Sequence, residues 1–307
     1  MAKPTAKEIA AQTAVLSIER RIPSFSRKVS SQDIVDVNDE VDRQMVHVSK
    51  DLIDKKLLKE INRLDADMRT YLEARASQCS MLARGMWLFS LALINEVDRV
   101  VTSWIEQRRA LARALAQDKY PEAIQQAERR LGKHFNRADY LSPDELEAAF
   151  SVRAKWLSLN VPAALDEINS EIAEREKARL AQEWESAGRE MIAAMRESFA
   201  GVVAHMADRL GTDDESGKPR KFKDSTVAQM LEFLELFPMR NVGGDTEIEP
   251  LIRQAQALLK GKSAVDLRTD ESARAKVREG MERITAKLSA MDVVAPGARK
   301  FSGKGKA

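Results

Sequence analysis

The chain has 307 residues, of which 32% are charged and only 5% aromatic, with 13 glycines and 9 prolines. This composition favours helix over strand, because the many unbranched side chains lose little rotamer freedom on a helix. The 50 basic and 48 acidic residues nearly cancel, which argues against a dedicated nucleic-acid-binding protein. The single cysteine, Cys79, excludes an internal disulfide bond and a thiolate metal cage.

Neither a secretory signal nor a membrane span is predicted. Glu8 and Gln12 interrupt what would have to be the apolar region of a signal peptide. The longest apolar stretch, residues 86–94, contains Ser90 and is far shorter than the ~20 residues that cross a bilayer. We therefore expect a cytoplasmic protein without membrane contact.

The N-terminal part of the chain combines a loose end with one short element. Residues 1–13 are polar and are predicted to be flexible. Apolar and polar side chains then alternate over residues 14–19, and Pro23 closes the run. This alternation favours a short strand slightly over an entry helix.

Residues 24–84 contain neither glycine nor proline, so nothing local stops a helix there. Two apolar stripes at helical spacing follow each other, and a shift by one residue near Leu52 predicts a kink. A third stripe, over residues 87–117, completes a predicted antiparallel helical hairpin. Each narrow stripe must be covered by another helix, from this chain or from a second copy, so we expect self-association. The first two stripes are Ile34, Val37, Val41, Met45, Val48 and Leu52, then Ile53, Leu57, Ile61, Leu64, Met68 and Leu72.

Two shorter elements follow the hairpin. A helix is predicted over residues 121–132, because proline is tolerated in a first turn and glycine ends it. Residues 142–145 are a second helix start, with serine as the N-cap and glutamate three positions later. The alternation over residues 152–156 is compatible with a short strand that pairs with the one near Leu16.

The longest predicted helix covers residues 162–210 and would span on the order of 70 Å at ~1.5 Å per residue. Its middle, residues 171–179, is almost all charged, so we expect the helix to project or bridge, as in a coiled coil. The sequence is accordingly divided into a flexible N-terminus (1–13), a helical hairpin domain (14–161), the long helix (162–210), a linker (211–224), a C-terminal helical subdomain (225–292) and a basic disordered tail (293–307).

The sequence contains no recognised motif for catalysis or metal binding. A phosphate-binding loop needs four residues between its glycines, a serine or threonine after its lysine, and a preceding strand. Here five residues separate Gly211 from Gly217, Pro219 follows Lys218, and a helix is predicted before them, so this is not a phosphate-binding loop. The three histidines lie far apart, and none belongs to a spaced ligand pair. Cys79 lies at helical spacing from apolar residues, which indicates a buried, inert thiol. We therefore predict a protein that is not an enzyme and that has no metal and no cofactor.

Basic residues cluster in the helices, and again in the linker and tail. The linker and tail are the better candidates for phosphate contacts, because acidic residues do not intersperse the basic ones there. Phe222 and Phe301 lie in these stretches and could stack on bases or dock on the body of the protein. The alternative is that the basic side chains are solvated or paired with glutamate. The candidate nucleic-acid contacts are Lys218, Arg220, Lys221, Lys223, Arg299, Lys300, Lys304 and Lys306, and the helical cluster is Arg108, Arg109, Arg113, Arg129, Arg130, Lys133 and Arg137.

The four tryptophans lie on or beside apolar stripes, where core packing is the usual role. Trp184 lies near the charged middle of the long helix. Large aromatic side chains often anchor protein interfaces, so Trp184 is the candidate contact with a partner or a second copy.

One stretch carries a family resemblance. Its residues are Leu131-Gly132, Phe135, Asp139-Tyr140, Ser142-Pro143-Asp144-Glu145-Leu146, Phe150 and Val161-Pro162. This pattern resembles an uncharacterised family of helical proteins, a domain of unknown function, carried by phages, plasmids and integrative elements. Its members are often encoded near a MoxR-type AAA+ ATPase and a von Willebrand A-type protein. The motif is structural, a turn and a capped helix, and it identifies no catalytic residues.

Together these observations predict an all-α fold, or helix with one small strand pair. The expected architecture is elongated and coiled-coil-like, with a hairpin, a very long helix and a C-terminal helical subdomain. The first functional hypothesis is a non-enzymatic scaffold or adaptor that self-associates; the resemblance implies a phage or mobile genetic element and service to an AAA+ ATPase. The second hypothesis is a nucleic-acid-binding accessory protein that uses the basic loop and tail.

Overall fold

The computed structural model describes residues 4–29, 48–162, 164–213 and 218–291. The fold is a helix-rich mixed α/β fold, 67% helical, with five strands in two small antiparallel sheets among the described residues. The predicted all-α class is therefore wrong. The strands have only four to eight residues, and apolar runs of that length fit a buried helix as well as a strand.

The helices and strands follow each other in a mixed order. In chain order they are α1 (Ala6–Ala11), β1 (Thr13–Arg20), β2 (Ser26–Val29), β3 (Val48–Asp51), α2 (Lys59–Arg75), β4 (Met86–Ser90), α3 (Ile94–Ala114), α4 (Tyr120–Leu131), α5 (Pro143–Ala149), β5 (Val152–Leu157), α6 (Ala164–Ile168), α7 (Ser170–Leu210), α8 (Asp224–Arg240), α9 (Glu249–Leu259), α10 (Asp266–Thr269) and α11 (Glu271–Ser289).

The chain forms two compact units, which cut across the predicted domain boundaries. Unit 2 comprises the described parts of Ile18–Leu72 and Asn95–Lys155. Unit 1 comprises the described parts of Met1–Ser17, Glu73–Ile94 and Trp156–Ala307. The N-terminal residues, the long helix and the C-terminal helices therefore belong to one unit, although the sequence analysis placed them in separate segments.

The three-stranded sheet has the order β4-β1-β5. The predicted strands near residues 14–18 and 152–156 are thus confirmed, and they are neighbours. Strand β4 pairs antiparallel with β1, with Thr13 opposite Ser90. It occupies the start of the predicted helix over residues 87–117, which is wrong for these residues. Helix α3 begins only after Ser90, whose side chain caps the intervening 3-10 turn.

The second sheet corrects the other end of the predicted hairpin. Strand β2 pairs antiparallel with β3, and Val29 lies opposite Val48. The first apolar stripe therefore ends in a strand rather than a helix, and its part over residues 30–47 lies outside the described residues. Helix α2 follows a 3-10 turn that Asp54 caps, and its apolar side is buried at Ile61 and Leu72. The second stripe is thus helical from Lys59 onwards.

The core of unit 1 is built on one face of α7, a helix of 41 residues that Asn169 caps. This face packs against α8 and α11, and α9 packs against both of these helices. The rings of Phe199 and Phe233 stack there, with 5.4 Å between their centroids. The apolar stripe of the predicted long helix is therefore covered inside the unit. Its buried residues are Ala173, Trp184, Ala187, Gly188, Met191, Met195, Phe199, Val203, Met206 and Leu210.

The predicted flexible N-terminus contains an ordered helix, α1. Thr5 and Glu8 form a reciprocal capping box at its start. The helix packs on α7, where Ile9 is buried. A methyl group added at Gly188 of α7 would lie 2.9 Å from the Ile9 Cδ1 atom, so the absence of a side chain at Gly188 allows this close approach. None of the described helices is long and apolar enough to cross a membrane.

Candidate functional site

Two of the residues that line a small cavity in unit 1, Arg240 and Ser77, each have one buried polar atom without a partner among the described residues. The cavity lies where the C-terminal end of α8 meets α7 and the segment that follows α2, and its volume is about 10 Å³. A cavity of this size holds roughly one water molecule. The residues that line it are Ala76, Ser77, Gln78, Met191, Ala194, Met195 and Arg240.

Arg240 supplies the charge of this cavity. It is the last residue of α8, and it is only 8% exposed. Its Nε–H finds no acceptor among the described residues. The guanidinium carbon lies 5.7 Å from the centroid of the Phe233 ring, so one face of the cation rests on an aromatic surface. A buried charge is normally paired, and this unpaired donor is therefore unusual.

Ser77 supplies a second polar atom without a partner. The residue is 7% exposed, and its Oγ makes no hydrogen bond to any described group. Its backbone N–H donates to the carbonyl of Leu88 in β4, at 2.8 Å. This bond fixes the backbone of the segment that follows α2.

Charged groups near Arg240 shift its pKa. Burial lowers the pKa of Arg240, the charge of Arg75 lowers it further, and the charge of Glu232 opposes this effect. Arg75 Nη1 lies 3.1 Å from Glu232 Oε1. The cavity wall from α7 is apolar at Met191 and Met195.

The turn that follows α8 holds Arg240 in place. Arg196 of α7 donates from Nε and Nη2 to the two carboxylate oxygens of Asp245, at 2.6 and 2.8 Å. These bonds raise the pKa of the Arg196 guanidinium. Gly243 lies so close to α7 that an added methyl group would be 2.9 Å from Ile192 Cγ1 and 3.1 Å from the Gly188 carbonyl oxygen. The cavity is therefore framed by packed, ion-paired structure.

Some residues of the predicted basic loop are engaged in contacts within the protein. Arg220 pairs with Asp208, and its carbonyl accepts a hydrogen bond from Arg274 Nη2 at 2.8 Å. Phe222 is buried under the guanidiniums of Arg268 and Arg274, whose carbons lie 5.1 and 5.6 Å from its ring centroid. Of the two alternatives, Phe222 therefore docks on the body of the protein and is not presented to bases.

The remaining predicted nucleic-acid contacts have different surroundings. Lys218, Lys221 and Lys223 are exposed. The predicted contacts Arg299, Lys300, Lys304 and Lys306, together with Phe301, lie outside the described residues. The structure therefore places only the loop lysines on a described surface.

The helical basic cluster is not one continuous solvated patch. Arg108 is fully buried in unit 2, and Arg113 Nε pairs with Glu147 Oε1 at 3.0 Å. Arg129, Arg130 and Lys133 are exposed near the C-terminal end of α4. Basic residues at that end of a helix are favoured by the helix dipole, so their position needs no ligand to explain it.

Trp184 does not present a surface to a partner. It is 3% exposed and packs with Ile9 and Val15 in an apolar cluster of unit 1. Its indole N–H has no acceptor among the described residues. The sequence suggested a partner contact because the charged residues 171–179 precede Trp184. The charged side chains of that stretch are exposed or half-buried, whereas Trp184 itself lies in the buried part of α7.

The other titratable candidates form no site. Burial, with help from the charge of Glu190, raises the pKa of the Cys79 thiol to about 11. His205 is exposed, His134 is half-buried, and His47 lies outside the described residues. Across the described ranges, no group of histidine, cysteine and acidic residues could hold a metal ion.

Sequence reasoning did not find Arg240 or Ser77. They belong to segments far apart in the chain, and neither lies in a spaced motif. The one available signal was Arg240 itself, three residues after Phe237 on the apolar side of α8, where a charge must be explained. No protein-family model, no curated protein and no solved structure matches this chain.

Proposed function

We propose that this protein is a non-enzymatic adaptor that binds other molecules and does not transform them. The observation that carries the proposal is the small cavity that Arg240 and Ser77 help to line. A guanidinium and an unactivated hydroxyl are typical of recognition, because neither takes up a proton from a substrate near neutral pH.

The titration behaviour of other groups supports the same proposal. Catalytic acids and bases work best with a pKa near the operating pH. The raised pKa of Cys79 keeps its thiol protonated, and hydrogen bonds from helix-capping positions lower the pKa values of Glu8, Glu145 and Asp266. These shifts all move away from neutrality, and each has a structural cause.

The resemblance described above supplies the first partner to test, an AAA+ ATPase of the MoxR type. The test is affinity purification of the tagged chain from its native host, with and without nuclease, read by mass spectrometry. We expect an AAA+ ATPase to remain after nuclease treatment and to form a complex with the purified chain in size-exclusion chromatography. If every partner disappears with nuclease, the adaptor proposal is wrong.

Self-association stays a prediction. The apolar stripes of the predicted hairpin suggested it, and the second of them is buried on α2 at Ile61, Met68 and Leu72, so this stripe no longer supplies the reason. Light scattering on the purified chain measures the oligomeric state directly.

Nucleic-acid binding is the second candidate, because Lys221 and Lys223 are exposed and make no ion pair with a described residue. Each phosphate contact lowers the slope of log affinity against log salt by about 0.9 for duplex DNA. The double variant Lys221→Glu/Lys223→Glu should therefore flatten the slope by about 2 if these lysines bind phosphates. Lys260→Glu/Lys276→Glu makes the same change in charge elsewhere in unit 1 and should leave the slope unchanged.

A further inference from the structure

We propose that unit 2 binds the phosphate backbone of a nucleic acid on the surface where the β2–β3 hairpin meets the turn after α4. Arg27, Lys133 and Arg137 contact the phosphates, and these three residues define the hairpin surface. The inference goes beyond the adaptor proposal, and it concerns different residues from the exposed loop lysines of unit 1.

Contacts within unit 2 hold the hairpin on the turn after α4. Lys50 of β3 donates from Nζ to the His134 carbonyl at 2.5 Å and lies 2.7 Å from Asp139 Oδ2. Arg27 of β2 lies directly opposite Lys50 in the antiparallel register. Side chains at opposite positions lie on the same face of a strand pair. Arg27 therefore lies beside the segment that contains the other two cations of the hairpin surface.

Two of these cations act on the same tyrosine. Burial raises the pKa of Tyr120, whereas the charges of Arg137 and Arg27 both lower it. Arg137 also donates from Nη1 to the Tyr140 carbonyl at 2.9 Å. The two arginines reach Tyr120 from different elements, so they lie near each other although they are far apart in the chain.

The hairpin surface carries more positive charge than the fold neutralises. Asp139 pairs with Lys50, whereas the three cations of the hairpin surface make no ion pair with a described residue. Residues 26–29, 48–51 and 127–141 together include seven basic and three acidic residues. Such an excess of positive charge on one surface attracts a polyanion.

The helix dipole does not account for these cations. It accounts for Arg129 and Arg130, which lie in the last turn of α4. Arg27 lies on a strand, and Arg137 lies in a 3-10 turn. Lys133 and Arg137 are exposed and Arg27 is half-buried, so the charges are accessible to a partner rather than enclosed in the core.

The chemistry of the surface favours a nucleic acid over an acidic protein segment. The planar guanidinium group matches the oxygens of a phosphate, which makes arginine the usual residue for nucleic-acid recognition. Phe135 lies between Lys133 and Arg137 in the sequence and is half-buried, with its ring centroid 5.2 Å from that of Tyr140. Aromatic side chains among cations are typical of proteins that bind single strands, because bases stack on them.

The insert between the two strands opposes this attraction. Residues 30–47 lie outside the described residues and contain five acidic residues and one arginine. The chain leaves β2 at Val29 and enters β3 at Val48, so the insert is attached two positions from Arg27 and Lys50. Replacement of its acidic residues by Asn and Gln should therefore tighten nucleic-acid binding, and weaker binding would contradict the proposal.

The experiment measures how the affinity of the full chain for a fluorescent single strand and for its duplex depends on salt. Each phosphate contact contributes about 0.7 to the slope of log affinity against log salt for a single strand and about 0.9 for duplex DNA. Arg27→Gln/Arg137→Gln should therefore reduce the slope by about 1.4 or about 1.8, respectively. The matched control Arg99→Gln/Arg109→Gln removes two exposed arginines of α3 and should leave the slope unchanged.

The outcomes separate the proposal from its alternatives. Equal losses of slope in the two double variants overturn it, because binding then follows net charge alone. Polyglutamate that binds as tightly as the oligonucleotide also overturns it and assigns the surface to an acidic protein segment. Phe135→Leu should weaken binding of the single strand by roughly tenfold if a base stacks there, and an effect confined to the phosphate contacts indicates a duplex.

A second measurement uses only the wild-type chain and does not depend on variants that fold. Acetylation of exposed lysines, read by mass spectrometry, should slow at Lys133 when the oligonucleotide is added and stay unchanged at Lys260 of unit 1. Equal acetylation of Lys133 with and without the oligonucleotide overturns the proposal. Because no protein partner enters either measurement, the hairpin surface can fail as a nucleic-acid site while the adaptor proposal stands.

Discussion

Arg108 in unit 2 and Arg240 in unit 1 are both buried arginines on apolar helix faces, and their surroundings are opposite. Arg108 donates to Asp65 from Nε at 3.1 Å, to the Phe150 carbonyl at 3.0 Å and to the Arg21 carbonyl at 3.0 Å. Arg240 has an aromatic ring beneath it and an unpaired Nε–H. The arginine in unit 2 links several parts of the fold by hydrogen bonds, and the arginine in unit 1 has a buried donor without an acceptor.

The comparison shows that burial alone does not reveal what a charged side chain does. The partner set decides it. A guanidinium that donates to a carboxylate and two carbonyls uses its donors within the fold, and its removal leaves those acceptors unpaired. A buried donor without an acceptor, such as the Nε–H of Arg240, lowers the stability of the fold.

The largest effect is expected from breaking the satisfied arginine. Asp65→Ala leaves Arg108 buried without its carboxylate and also removes the ion pair between Asp65 and Arg20, 2.9 Å long. Removing one partner of a buried pair should lower the free energy of unfolding by about 3–5 kcal/mol, measured by urea denaturation.

The matched control lies two residues away on the same helix. Asp67 pairs with Arg63 at 3.9 Å, and both side chains are highly exposed. Asp67→Ala should cost less than about 1 kcal/mol, because solvent screens such pairs. Similar losses for Asp65→Ala and Asp67→Ala would contradict the structural role of the Arg108 cluster.

A smaller effect is expected from disturbing the frame around the open arginine. Gly243→Ala places a methyl group 2.9 Å from Ile192 Cγ1 and 3.1 Å from the Gly188 carbonyl oxygen. Overpacking of this kind should lower the free energy of unfolding by about 1–3 kcal/mol, measured by urea denaturation.

The control for this change is a glycine with free space around it. Gly201 is exposed in α7, and an added methyl group would meet nothing within 4 Å. Gly201→Ala should raise stability by about 0.5–1 kcal/mol, because alanine restricts the unfolded chain and favours helix. A gain for Gly243→Ala as well would show that the turn after α8 is loosely packed.

The next effect is small and has the opposite sign. Arg240→Met removes a buried charge that makes no ion pair with a described residue, so it should raise the free energy of unfolding by about 1 kcal/mol, measured by urea denaturation. Arg283→Met, on an exposed position, should stay within about 0.5 kcal/mol of the wild type. A loss of several kcal/mol in Arg240→Met would mean that Arg240 is as satisfied as Arg108, and the comparison would fail.

The helices with local end signals were predictable from the sequence. The capping box of Ser142 and Glu145 is present at α5, and Asp270 caps α11 where the sequence predicted the helix to begin. Capping depends on residues within one turn, so the sequence contains the whole signal. The sequence also predicts C-terminal helices over residues 226–237, 250–260 and 270–291, and α8, α9 and α11 lie within a few residues of these bounds.

The strands and the candidate site were less predictable because distant residues decide them. Strand β4 has five residues, and only its pairing with β1 distinguishes it from the first turn of α3. Arg240 and Ser77 line one cavity although they are far apart in the chain, because α8 and the segment after α2 both lie beside α7. The sequence shows that Arg240 lies on the apolar side of α8, but it does not show that its Nε–H lacks an acceptor.

The last prediction tests whether the interior of unit 1 desolvates charge, as the lowered pKa of Arg240 implies. Burial and Glu190 raise the pKa of Cys79 from 9.0 to about 11. Because the thiolate is the nucleophile, iodoacetamide at pH 8 should react about 100-fold more slowly with the folded chain than with the chain in urea. A pKa raised by folding favours the fold while the thiol is protonated, so this contribution is complete below about pH 9 and is lost as the pH rises through about 11. Cys79→Ala should lack that loss in urea denaturation at pH 8 and pH 10, and equal alkylation rates in the folded and unfolded chain would contradict a desolvated interior.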